Sequence, residues 1–160
     1  MGAYRPVRNY ETSTKDYLET NLNTDWTSPT VNVYRGWSEI SGINLPCITI
    51  RSGLNTHERA GLGSFATIRQ VTLLIDIFAT GEGQLLDLKD YLVGLLKKSW
   101  NYKEYTVTNG VSSSVTNGRI VCVSLNETII NFDVNKSDLD KTDRHRALLT
   151  VVVRNSKVEI

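Results

Sequence analysis

The chain has 160 residues, of which 40% are apolar, and 18 basic side chains stand against 17 acidic ones. That length suits a single domain, 1–160, with one core. The charge balance excludes the strong basic excess of a protein that grips nucleic acid through its phosphates. The closest basic groupings, Lys97-Lys98 and Arg144-His145-Arg146, are too short to alter that reading.

The opening MGAYRPVRNYETS carries no apolar core of the signal-peptide kind, and Pro6 stands where a myristoylation motif needs Ser or Thr. Pro6 also discourages helix, so residues 1–12 are expected to form an extended arm that orders against a neighbour. A short helix is predicted from about Thr14 to Asn23, with Ser13 as N-cap and Asp16 in the first turn. Tyr17, Leu18 and Leu22 would face the core.

Strands follow. TVNVYRGW (30–37) alternates, with Val31 and Val33 on one side and Asn32 and Tyr34 on the other. CITIRSG (47–53) alternates again after Pro46. The stretch GLNTHERAGLGSF (53–65) has three glycines and little periodicity, and is predicted to be a long loop. Its apolar Leu54, Leu62 and Phe65, beside His57, Glu58 and Arg59, are more than a solvated loop needs. They mark it as a candidate intersubunit contact.

The clearest unit is TIRQVTLLIDIFA (67–79), a long β-branched strand with Val71, Leu73, Ile75 and Ile77 on one face. A TGEG turn leads into an amphipathic helix whose stripe is Leu85, Leu88, Leu92, Leu95 and Leu96, with Thr80 as a possible cap. The last third reads as antiparallel strands. A short one lies at 105–108. A Gly/Ser/Asn-rich tip at 109–118 is expected to be mobile. Strands 119–125 and 129–134 flank a turn at Asn126-Glu127-Thr128. A charged loop spans 135–143, and a final strand runs from Arg144 to Asn155. The fold class is therefore α+β, a mostly antiparallel sheet packed against two helices.

No catalytic set stands out. His57 has no paired nucleophile and orienting group, and His145 is flanked by Arg144 and Arg146, which disfavour an imidazolium. This strand-end group, Arg144 and Arg146 included, is a candidate interface. Asp138, Asp140 and Asp143 are acidic, but His145 and Leu149 stand at roughly the places where a calcium loop needs Gly and Glu, and Lys136 and Lys141 would repel a cation. Cys47 and Cys122 lie in apolar runs and read as buried thiols, a disulfide between adjacent strands being the lesser alternative. Neither GLGSF nor TGEG has the residues of a phosphate loop. The apolar stretch around 85–96 is too short and too charged to span a bilayer. No enzyme, metal, cofactor or membrane is implied.

The order of segments is informative. The strand-turn-helix RQVTLLIDIFATGEGQLLDLKDYLVGLL and the closing D-x-x-D-R-H-R-A-L-L-T-V-V-V-R-N resemble the tail terminator, or tail completion, proteins of long-tailed bacteriophages. The matching positions are Val71–Ala79, Leu85–Leu96 and His145–Arg154, within a resemblance that runs from about Thr14 onward. The resemblance implies a tail-terminator-like α/β sandwich and a structural virion protein of the neck. Such proteins assemble as a homo-oligomer, commonly a hexameric ring, on the tail tube protein. The ring ends tube growth and presents a face to the head-tail connector or stopper, and to a terminal sheath ring if the tail contracts. DNA crosses the lumen without sequence-specific binding. Two rivals remain. One is another neck component, such as a head-completion or stopper protein. The other is a cytosolic small-ligand-binding or enzymatic α+β domain, which requires a concave pocket with convergent polar groups.

Overall fold

The computed structural model describes residues 2–36, 45–130 and 145–159. Along the chain come β1 (Gly2–Ala3), α1 (Pro6–Asp25), β2 (Asn32–Arg35), β3 (Cys47–Arg59), β4 (Thr67–Phe78), α2 (Glu82–Leu96), β5 (Trp100–Thr108), β6 (Val111–Ile130) and β7 (Arg146–Asn155). The strands form one sheet in the order β1-β5-β6-β7-β4-β3-β2. Among the described residues only the β2–β3 pair is parallel. The result is an α+β fold, a mostly antiparallel, curled sheet packed against two helices.

The sheet face under the helices is built as the alternation predicts. Ile77 lies opposite Ile48 and Ala147, Ile75 opposite Ile50 and Leu149, and Leu73 opposite Val151, all of them fully buried. The α2 stripe Leu85, Leu88, Leu92, Leu95 and Leu96 is buried, closing the core. The two helices meet at their polar margins. The Tyr17 hydroxyl donates to the carbonyl of Leu95 (2.9 Å), and the Tyr91 hydroxyl donates to Asp25 Oδ2 (2.6 Å). Tyr17 also stacks on Trp100 at 5.2 Å.

Several expectations are corrected. The expected arm over residues 1–12 is a two-residue strand followed by the opening of α1, which starts at Pro6. Proline is well suited to a first helical position, where its missing N–H costs nothing. The extra turns escape a search for apolar periodicity because Tyr10 is the single fully buried apolar side chain between Pro6 and Thr14, and the residues buried around it are polar. Asn9, Ser13 and Thr14 are all buried, and each serves β5. Asn9 Oδ1 accepts from the Tyr105 amide (3.2 Å), Ser13 Oγ bonds both the amide and the carbonyl of Lys103 (2.9 and 3.3 Å), and Thr14 Oγ1 accepts from the Trp100 indole (3.2 Å). Thus α1 satisfies the outer edge of β5 with side chains where a further strand would use its backbone. Ser13 is accordingly not an N-cap.

The predicted loop 53–65 is mostly strand: β3 runs on to Arg59 and pairs with β4 as far as Arg59 opposite Thr67, leaving residues 60–66 as the connection. The expected mobile tip 109–118 is a hairpin of β5 and β6 turning at Asn109-Gly110, both at positive φ (52° and 78°). This is the two-residue turn that Asn-Gly favours. The predicted turn at Asn126-Glu127-Thr128 is absent, because β6 continues through it while changing partner from β5 to β7. Thr80 does not cap α2; its hydroxyl and amide both donate to Gln84 Oε1 at 2.9 Å. The predicted loop 135–143, with Asp138, Asp140 and Asp143, lies outside the described residues, as does Arg144.

Cys47 and Cys122 are free thiols on β3 and β6, strands separated by two others in the sheet, so an adjacent-strand disulfide is excluded. Burial pushes the Cys47 thiol up to about 11.

Candidate assembly surface

The register defines a projecting end of the sheet. The central strand β7 stops at Asn155, opposite Ile120 of β6, while its Arg154 lies opposite Gln70 of β4. Beyond that level both neighbours continue. Residues Val111–Arg119 of β6 pair with β5, and Thr67–Arg69 of β4 pair with the end of β3. Nine residues of strand carry the β5–β6 hairpin roughly 30 Å past the end of β7. Two hairpins therefore leave the same end of the molecule. Between their bases the chain after β7 turns toward β4, where Glu159 and Thr67 exchange backbone hydrogen bonds of 2.8 and 2.9 Å.

Both hairpins display apolar side chains that the core does not cover. On the β3–β4 hairpin, Leu62 and Phe65 are essentially fully exposed and Leu54 is 71% exposed. On the β5–β6 hairpin, Val111 and Val115 are exposed to the same degree as Leu54. From Tyr105 to Gly118 that hairpin contains no charged residue.

Of the residues singled out in the sequence, Leu54, His57, Glu58, Arg59, Leu62 and Phe65 are brought together on the exposed β3–β4 hairpin, with His57 in register with Arg69 and Glu58 with Ile68. Arg146 is not part of this group. It lies opposite Phe78, at the far end of β4. The twelve residues of β4 separate it from the hairpin connection by roughly 36 Å along the strand. His145 contributes its carbonyl to the amide of Ala79 (2.9 Å) at that same far end.

Arg146 belongs to a charged cluster on the sheet face away from the helices. Asp76, fully buried, accepts from Arg146 Nη2 (2.8 Å) and Nε (3.1 Å) through Oδ1, while Arg51 Nε stands 3.7 Å from Oδ2. The Arg146 guanidinium also lies 5.3 Å from the centre of the Phe78 ring. Asp76 is not among the residues that stand out in the sequence analysis. Its signal was a single carboxylate in the middle of LLIDIF, since a charge in a core strand requires a paired cation.

The clefts among the described residues include two with polar linings. One, of ≈ 350 Å³, lies between the hairpin bases and is lined by Tyr102, Glu104, Asn117, Asn155, Lys157 and Glu159, among others. Its polar groups bond one another: Lys157 to Asn117 (2.7 Å), Asn117 to Glu104 (3.0 Å), and Glu159 to Arg69 (3.0 Å). The other, of ≈ 180 Å³, lies along α1 beside Asp16, Tyr17 and Lys103. There Tyr105 donates to Asp16, and burial followed by that carboxylate raises the Tyr105 phenol. Among the described residues no three His, Cys, Asp or Glu side chains group to hold a metal, and no helix is long and apolar enough to cross a membrane.

No protein-family model and no curated protein matches this chain.

Proposed function

We propose that this chain is a structural virion protein that forms a ring on the end of a phage tail tube, stops its growth and joins it to the head connector. The observation that carries the reading is the pair of hairpins at one end of the sheet, with Leu54, Leu62, Phe65, Val111 and Val115 uncovered. Exposed apolar side chains gathered at one end of a small domain mark contact surfaces. A ring subunit needs two different lateral surfaces, one for each neighbour, and two unlike hairpins supply them. The segment resemblance at Val71–Ala79, Leu85–Leu96 and His145–Arg154 adds the phage neck as the place. A subunit that halts a growing tube must bind the last ring by one face and show an unlike face outward, and this molecule has two unlike ends. The tail tube protein and the head connector are its proposed partners, with DNA passing through the lumen.

The test is electron microscopy of lysates from a phage lacking the gene. DNA-filled heads beside separate tails, some overlong, are the expected result. Tails of normal length joined to heads would remove the terminator role, and heads that lose their DNA would favour a stopper protein instead.

A further inference from the structure

The open edges of the two hairpins can be followed residue by residue. In an antiparallel pair, alternate residues turn both backbone groups toward the partner strand or both away. In β5, Tyr105 and Lys103 turn theirs away from β6: the Tyr105 carbonyl accepts from the Tyr4 amide (2.9 Å) and its amide goes to Asn9, while Lys103 is bonded on both groups by Ser13. Their register partners are Ser114 and Thr116. The backbone groups of Ser114 and Thr116, and by the same alternation Ser112, therefore point away from β5, to the side where β7 has already ended. No backbone hydrogen bond among the described residues reaches them.

The same alternation locates the free edge of β3. The Ala60 amide bonds the Ala66 carbonyl (2.9 Å), and Thr67 turns away to Glu159. Glu58 and Thr56 are thereby the residues bonded to β4, and Asn55, His57 and Arg59 turn their backbone groups outward. The parallel partner β2 reaches only to Arg35 opposite Ile50, and Ser52 is taken by Glu11 Oε1 (2.7 Å). Beyond Ser52 the outer edge of β3 has no partner strand among the described residues.

Open edges in soluble proteins are ordinarily blunted by charge, proline or brevity. The β6 edge has none of these: VSSSVT (111–116) is uncharged, free of proline and fully extended. The β3 edge offers three outward-facing residues over the same five-residue span. Pairing β6 with β6 of another copy would leave every β3 edge open. Pairing β6 with the β3 edge of the next copy satisfies both edges in every subunit and propagates until it closes. It also brings Leu54, Leu62 and Phe65 of one hairpin to the side of the neighbour that carries Val111 and Val115.

From this geometry we infer that the subunits join by strand addition, with the β3 edge Asn55–Arg59 of one copy hydrogen-bonded to the β6 edge Ser112–Thr116 of the next. The inference rests on the ring reading and adds the edges that form its lateral contact. Ser114 and His57 are the central residues of the two edges. The test uses the full chain. Purified Ser114→Cys protein is mixed with His57→Cys protein, oxidised gently, and the bridged peptides are identified by mass spectrometry. A disulfide between the two different variants is expected, with little in either variant alone. In parallel, Ser114→Pro removes an outward N–H without touching the β5 ladder. It should yield a folded monomer by native mass spectrometry under conditions where the parent chain forms a ring. A bridge within the Ser114→Cys protein alone would replace the inference with a two-fold contact. A ring in the parent chain that persists in Ser114→Pro, with no mixed disulfide, would overturn the strand contact and leave the ring reading standing. A parent chain that stays monomeric at every concentration and on tail tubes would remove both.

Discussion

Replacing Asp76 tests whether the charged cluster is a structural necessity of the far end of the sheet. The carboxylate is fully buried and receives two hydrogen bonds from Arg146, whose side chain is only 15% exposed. Breaking a buried ion pair by removing one partner costs about 3–5 kcal/mol, because the remaining charge keeps its desolvation penalty. Arg51, 41% exposed and 3.7 Å away, is the more solvated and more distant of the two cations, so its share of the loss should be the smaller. The expectation for Asp76→Leu is thus at the lower end, about 3 kcal/mol. With a urea m-value of roughly 2 kcal/mol/M, the unfolding midpoint should fall by about 1.5 M. Arg146→Met should restore most of that loss when combined with Asp76→Leu, since an apolar pair of similar volume removes both buried charges together. Urea titrations of the two single variants and the double variant, followed by circular dichroism, give the coupling directly. A loss below about 0.5 kcal/mol in Asp76→Leu would refute the reasoning, as would a double variant no better than the worse single one.

A Cβ at Gly118 would lie 2.3 Å from Oδ1 of Asn155 at a φ of +110°, so Gly118→Ala should cost about 2 kcal/mol and lower Tm by roughly 4–8 °C. Gly94 is exposed inside α2 with nothing near its Cβ position, and Gly94→Ala should instead gain about 0.5–1 kcal/mol; differential scanning calorimetry of the two variants, expected to move in opposite directions, checks both. Burial, partly offset by the hydrogen bond from the Asn155 amide, pushes the Tyr10 phenol up to about 12. The native chain therefore holds that proton between pH 10 and 12 while the unfolded chain loses it, so this contribution is whole below pH 10 and falls as pH rises toward 12. By pH 11 it should be down by about 1.4 kcal/mol, and Tyr10→Phe, though less stable at neutral pH, should show a shallower decline in urea stability from pH 9 to 11.

The central unit was legible because its burial is apolar. Val71, Leu73, Ile75 and Ile77 alternate, the α2 leucines recur at helical spacing, and both patterns follow directly from which face meets the core. Where burial is polar, the same reading fails. The first turns of α1 bury Asn9, Ser13 and Thr14 against β5 around a single aromatic, Tyr10, which sets no apolar period, so residues 1–12 read as an arm. The projecting hairpins fail it for the opposite reason. A two-stranded ribbon that buries neither face has no cause to alternate, and VSSSVTNG and LNTHER read as loops. Asn109-Gly110 was nevertheless a direct turn signal, and weighing it above the surrounding serines would have located the β5–β6 hairpin. At Asn126-Glu127-Thr128 the polar run simply marks the exposed length of β6.

The candidate assembly surface was only half readable, and the missing half is a matter of register. Leu54, Leu62 and Phe65 stood out because apolar residues among glycines and charges have no reason to be there unless something covers them. Nothing in VSSSVT announces a free edge, because an edge is defined by the strand that is not beside it. That absence is fixed by Asn155 pairing with Ile120, thirty-five positions away in the chain, and by the turn of residues 156–159 toward Thr67. Arg146 is a second interface candidate in the sequence, from its position beside His145. The register instead puts it at the opposite end of β4, held by Asp76. The two ends of that strand thus differ in kind. One is tied by a buried charge, where substitution should act on folding. The other ends in apolar side chains and strand edges left uncovered among the described residues, where, on the ring proposed above, substitution should act on assembly and leave the fold intact. A residue such as Ser114, which packs against no core and sits on an open edge, is for that reason a sharper probe of function than any of the buried leucines.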